Sequence, residues 1–190
     1  MYRAQANDFE IALSGGHPNS LGNTEAVVEK IIGDETLLRE LMECYRSLDP
    51  VVRLRVSSVL KRISQRRPEW LVPYIDELLG PVAAIDQAST QWTLAILFKR
   101  LMHRMTLAQS AAAIAIVQRN LDESNDWIVQ NTTMQVMAGW AGGDPSLAAW
   151  LHPRLDRLSS SPRKSVSNRA RKLMQELSTT PEGSRQPPRG

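Results

Sequence analysis

Trp70-Leu71-Val72-Pro73-Tyr74-Ile75-Asp76-Glu77-Leu78 and Trp150-Leu151-His152-Pro153-Arg154-Leu155-Asp156-Arg157-Leu158 spell one pattern, W-L-x-P-x-[IL]-D-x-L, with equivalent positions 80 residues apart. That spacing is about twice a period of ~40, and self-similarity at such a period marks an array of stacked units. Between the two copies, Lys61-Arg62-Ile63 returns 38 residues later as Lys99-Arg100-Leu101. Apolar residues also recur at i, i+4, i+7 and i+11 in four places: Val52, Val56, Val59, Ile63; Thr90, Leu94, Leu97, Leu101; Val129, Thr133, Val136, Trp140; and Val166, Ala170, Leu173, Leu177. This is the spacing of one helical face, with Thr90 a polar lapse in the second copy.

Turn and cap signals extend the helical reading outward from these stripes. They predict helices near 24–32, 35–47, 50–67, 69–80, 88–105, 107–121, 126–141, 145–160 and 163–178. Asp49-Pro50, Asp144-Pro145 and Ser161-Pro162 each offer a capping acceptor followed by proline, whose missing N–H costs nothing at the first helical position. Thr106 and Gln109 have the spacing of a capping box. Gly80, Gly142 and Gly143 read as helix stops. With only 2 Phe and 3 Tyr in 190 residues, composition too disfavours strands. The proline inside each W-L-x-P copy falls early in its expected helix and implies a bend that belongs to the repeating unit.

In these features the chain resembles HEAT-repeat proteins. Their unit of about 40 residues is a helical hairpin whose first helix often bends at a proline and whose second opens with Asp-x-x-Val-Arg. Asp49-Pro50-Val51-Val52-Arg53 matches that opening, whereas the later copies carry Gln91, Gln130 and Ser167 where Arg53 stands. The resemblance implies an all-α, right-handed α–α solenoid of about four HEAT-like hairpins (35–67, 68–105, 106–141 and 144–178). Residues 1–34 would then form an N-terminal helical cap and loop, and the Pro-, Gly- and Ser-rich residues 179–190 a flexible tail. In HEAT proteins the second helices line the concave wall, where binding usually takes place.

The net charge of +3 hides a segregation. Residues 1–50 carry four basic and nine acidic groups, and residues 51–110 reverse this with nine and four. On an ideal helix Arg55, Arg62 and Arg66 flank one side of the Val52–Ile63 stripe, with Lys61 beside them. Shifted by one repeat, the set becomes Lys99, Arg100 and Arg104, a ladder that Arg67, Arg169, Arg171 and Lys172 would extend. Such a ladder suits an acidic partner, although cations in a last helical turn also answer the helix dipole. Trp92 and Trp127 lie near helix starts and are the candidate aromatic contacts.

Catalytic and metal chemistry finds no foothold. Of His17, His103 and His152 only His152 has a companion at loose ligand spacing, Asp156 at i+4, and one His with one Asp does not make a metal site; the single Cys44 excludes an internal disulfide and a Cys-based zinc site. No nucleophile elbow, phosphate loop or dinucleotide fingerprint occurs, and no cofactor is expected. Asp8 and Glu10 interrupt the apolar start, so no signal peptide is read, and no apolar run approaches the ~18 to 20 residues of a membrane span. A cytoplasmic, non-enzymatic scaffold that binds a partner protein or peptide on its concave face is the expectation. Nucleic-acid binding is the alternative. Some alkylpurine DNA glycosylases are built of HEAT-like repeats with a basic, Trp-lined groove, and Ser124-Asn125-Asp126-Trp127 resembles a helix start there. Val129 and Gln130, however, stand where that family's basic pair would follow. The stripe itself gives a direct check: Val59→Asp would bury an unpaired carboxylate, and chemical denaturation should show a loss of about 4 kcal/mol or more.

Overall fold

The computed structural model describes residues 7–17 and 20–179, and every regular element among them is helical. In chain order these are α1 (Asp8–Leu13), α2 (Thr24–Gly33), α3 (Leu38–Glu43), α4 (Pro50–Arg66), α5 (Ile75–Glu77), α6 (Ala88–Leu101), α7 (Leu107–Glu123), α8 (Trp127–Ala141), α9 (Pro145–Ser159) and α10 (Lys164–Thr179). None is long and apolar enough to cross a membrane. All but Thr179 of the tail expected at 179–190, like residues 1–6 of the cap, lies outside the described residues.

Most starts follow the expected chemistry. The Asp49 carboxylate accepts from Val51 N at 2.8 Å, and that of Asp144 from Ser146 N and Leu147 N at 2.9 and 3.1 Å. Thr106 and Gln109 form both bonds of the capping box. Three readings need correction. Ser161 accepts from Arg163 N in a turn, and α10 opens only at Lys164, past Pro162. Gly80 does not stop its helix but lies inside a π-helical turn over Leu78–Val82. The two W-L-x-P copies also differ locally, and neither proline behaves as expected. Pro153 sits in the middle of the continuous helix α9, whereas Pro73 belongs to a 3₁₀ stretch, Pro68–Tyr74, that passes into the three-residue α5. Pro68, Pro73 and Pro81 each lack an N–H, so this stretch cannot sustain an α-helical ladder and uses tighter and wider turns instead.

Burial nevertheless treats the two copies alike. Leu71, Ile75 and Leu78 are buried, as are Leu151, Leu155 and Leu158, with Trp70 and Trp150 packed partly buried against the same core. The four stripes point into that core, which runs without a break from Phe9 to Leu173. Each fully buried Val or Leu contributes roughly 1.5–3 kcal/mol. The polar lapse is real: Thr90 is wholly buried and its hydroxyl has no hydrogen-bond partner. Alternate helices form a row in which α2 packs on α4, α4 on α6, α6 on α8 and α8 on α10. Helix α7 touches both α6 and α8, and α9 both α8 and α10, so each bridges two members of the row.

Polar contacts repeat at one-period separations on both sides of that row. Arg39 meets Glu77 at 3.0 Å, 38 residues on, and Arg154 grips Asp122 with two bonds of 2.8 Å, 32 residues back. Arg119 reaches Ala83 O at 2.8 Å, and Gln109 reaches Asp76 at 2.7 Å. Arg53 donates to Gln87 at 2.8 Å, and Gln87 returns a bond to Pro50 O.

Arg55 closes the N-terminal end. It is only 1% exposed and no carboxylate among the described residues pairs with it. Its guanidinium donates instead to carbonyls of the segment after α1: Leu13, Ser14 and Gly15 from Nη1 at 2.7, 3.2 and 2.7 Å, Ser20 from Nε at 3.1 Å, and His17 from Nη2 at 3.3 Å. Gly22, at φ +51°, lies so close that a Cβ would meet Arg55 Cζ at 2.9 Å. Carbonyls of Leu13, Ser14, Gly15, His17 and Ser20 thus surround a buried cation. Arg55→Met should cost about 3 kcal/mol and speed hydrogen exchange in α1, because several carbonyls lose a charged donor. Gly22→Ala should cost ~1–2 kcal/mol through backbone strain and the clash. In the double variant the two losses should sum to less than their separate values, since methionine frees the space that alanine needs.

Candidate functional site

The candidate cations occupy very different environments, although sequence places them on one flank. Arg55 is withdrawn from the ladder, because its position between Val52 and Val56 turns it into the packed side of α4. Arg62 is held on its own helix by the Ser58 hydroxyl at 2.6 Å and meets Glu25 of α2 at 3.2 Å. Arg66 meets Glu29 of α2 at 2.5 Å. Lys61 is half-buried with its Nζ 4.7 Å from the ring centre of Trp92, a cation–π contact. Burial, and then the charges of Arg62 and Arg100, push its pKa below the ordinary lysine value.

On α6, Arg100 is partly buried and anchored through Nη1 to Lys61 O at 2.8 Å and to the Ser64 hydroxyl at 2.5 Å. Desolvation lowers its pKa. Lys99 beside it is exposed. Arg104 corrects the expected translation of Arg66: α6 ends at Leu101, and Arg104 falls in the 3₁₀ turn Met102–Arg104, where it contacts His103. On α10, Arg169 bonds Gln135 of α8, whereas Arg171 turns back to Ser159 O and Lys172 pairs with Glu176 of its own helix. Arg67 stacks on Trp70.

Three of these cations converge. A groove of about 480 Å³ between α6, α8 and α10 is lined by Lys99, Arg100 and Arg169, by the neutral Asn131, Thr132 and Gln135, and by the apolar Ile96 and Val136. No carboxylate is among its lining residues. Sequence reasoning missed the neutral half because amides and a hydroxyl beside an apolar stripe carry no distinctive signal. It also missed the pairing of Arg62 and Arg66, since Glu25 and Glu29 lie in the segment read as a cap. Their spacing of four residues, matching that of Arg62 and Arg66, was the available clue.

The aromatic candidates divide as well. Trp92 is occupied beneath Lys61, whereas Trp127 is 43% exposed at the start of α8. Asp126, next to it, spends its carboxylate on capping α8 through Ile128 N and Val129 N at 2.8 and 3.0 Å. A second, more polar pocket of about 450 Å³ lies between the 83–86 turn and the end of α7, with Asp86, Arg119 and Glu123 at its wall. Among the described residues no three His, Cys, Asp or Glu side chains gather closely enough to hold a metal ion.

Cys44 is buried, donating its thiol toward Asn7 Oδ1 at 3.2 Å and Glu40 O at 3.3 Å. Burial outweighs the Asn7 contact and pushes the thiol up to about 11. Buried Tyr45, bonded to the Ser57 hydroxyl at 3.0 Å, is pushed in the same direction.

Compared with known proteins, the chain matches no family model, and no curated protein or solved structure matches it either.

The Cys44–Tyr45 pair sets an alkaline limit. An unfolded thiol loses its proton near its ordinary value of 9.0 while the folded one keeps it to about 11, so the folded state holds more protons in between and stability falls as pH rises through that window. Thermal melts at pH 8 and 10.5 should show the drop, and Cys44→Ala with Tyr45→Phe should flatten it. Iodoacetamide at pH 8 should leave Cys44 unmodified until denaturant is added.

Proposed function

We propose that this chain is a right-handed HEAT-like solenoid of about four hairpins with an N-terminal helical cap, and that it acts as a non-enzymatic module docking an acidic segment of a partner protein. The row α4, α6, α8 and α10 is the concave wall in this reading. Polar contacts between elements one repeat apart, from Arg39–Glu77 at one end to Arg154–Asp122 at the other, support the architecture. The groove between α6, α8 and α10 carries the functional reading, because its three cations have only neutral side chains beside them while Arg62 and Arg66 are already answered by glutamates.

Fluorescence anisotropy with a labelled glutamate-rich peptide tests this. The peptide should bind, and binding should weaken on going from 50 to 300 mM salt, where the screening length shortens toward ~6 Å. Lys99→Glu with Arg169→Glu should weaken it more than tenfold with circular dichroism unchanged, since both residues are exposed. An unchanged affinity in the double variant overturns the reading. Tighter binding of an oligonucleotide, or release of a methylated base from alkylated DNA, turns the assignment to nucleic acid.

A further inference from the structure

Building on the acidic-partner reading, we propose that the groove between α6, α8 and α10 is a subsite for a phosphomonoester dianion borne on a serine or threonine of the partner. Lys99, Arg100 and Arg169 come from two helices that flank α8, and α8 supplies Thr132 and Gln135 between them. A carboxylate brings one negative charge and two oxygens to three cations. A phosphomonoester brings nearly two charges at neutral pH and three terminal oxygens, a closer match to cations backed by neutral donors.

The site is built in advance. Arg100 spends Nη1 on Lys61 O and the Ser64 hydroxyl, which fixes its guanidinium while Nε and Nη2 make no bond within the protein among the described residues. Arg169 is steadied in the same way by Gln135. Partial burial of Arg100, which depresses its pKa, strengthens any ion contact it makes. A groove of about 480 Å³ exceeds the needs of one phosphate group and leaves room over Ile96 and Val136 for the carbon chain that carries it.

The same map argues against a phosphodiester backbone. A strand of nucleic acid needs cations repeated along a track. On the α4 side of the groove the next cations past Lys61, Arg62 and Arg66, are paired with Glu25 and Glu29, so an open track of cations does not continue in that direction.

Nuclear magnetic resonance titration of the labelled full chain tests the proposal with a capped Ala-Ala-phosphoserine-Ala-Ala peptide, its glutamate and serine counterparts, inorganic phosphate, and a five-nucleotide DNA. Shifts should centre on the backbone near Ile96–Arg100, Asn131–Val136 and Arg169. The phosphopeptide should bind at least tenfold more tightly than the glutamate peptide. Its affinity should fall as pH drops below about 6, where the dianion takes up a proton. Lys99→Gln with Arg169→Gln should weaken it at least tenfold, while Arg62→Gln with Arg66→Gln should change it less than twofold. Equal binding of the glutamate peptide through these residues overturns the dianion and leaves the acidic-partner reading standing; failure of both peptides overturns both. Equal binding of inorganic phosphate overturns the partner-borne source, tighter binding of the DNA overturns the protein partner, and shifts centred elsewhere overturn the site.

Discussion

Every long helix from α4 onward is apolar over more of its surface than one neighbour covers, and the rest of the structure follows from that excess. Helix α4 buries Val52, Val56, Val59 and Ile63, but also Leu60 and the stem of Arg55, and so requires elements on several sides. Helix α8 likewise packs on α6, α7, α9 and α10. A helix whose apolar surface needs several neighbours to cover it draws its stability from that packing and not from its own turns. The polar contacts obey the same rule. Several arginines bond a group 32 to 39 residues distant, which ties segments far apart in sequence to one another.

Arg55 ties α4 to the end of α1 and to the residues just after it. Helices α1 and α2 both pack against α4. Among the described residues the buried guanidinium is balanced not by a carboxylate but by the carbonyl dipoles of Leu13, Ser14, Gly15, His17 and Ser20. A charged group with five N–H donors organises a short segment that has little apolar surface of its own. Asn7 adds a second tie: it caps α1 through Glu10 N and bonds Glu40 O beside α3.

Electrostatics then distinguishes positions that the repeat makes formally equivalent. At the α2–α4 step, Arg62 and Arg66 meet Glu25 and Glu29. At the α4–α6 and α8–α10 steps the partners are a backbone carbonyl, a serine hydroxyl and an amide, none of which carries charge. Cations fixed by neutral groups keep their field, whereas exposed ion pairs largely cancel theirs. Glu25 and Glu29 of the acidic N-terminal block thus answer Arg62 and Arg66, while Lys99, Arg100 and Arg169 line a groove without a carboxylate.

The sequence by itself determined the helical class, most helix starts, and the four buried stripes, because these depend on local chemistry: cap acceptors, proline positions and a period of 3.6. Val52, Leu94, Val129 and Val166 are buried for reasons visible within a dozen residues of each. It did not determine the 3₁₀ and π turns between Pro68 and Val82, where three missing donors act together with packing. Nor did it separate the arginines. Arg55, Arg62 and Arg100 share a residue type and a helix flank, yet one is buried in carbonyls, one is ion-paired and one borders an open groove. Only the tertiary structure decided that, because the partner of each lies about a repeat away in sequence, and the strength of a charge depends on what stands within a few ångströms of it.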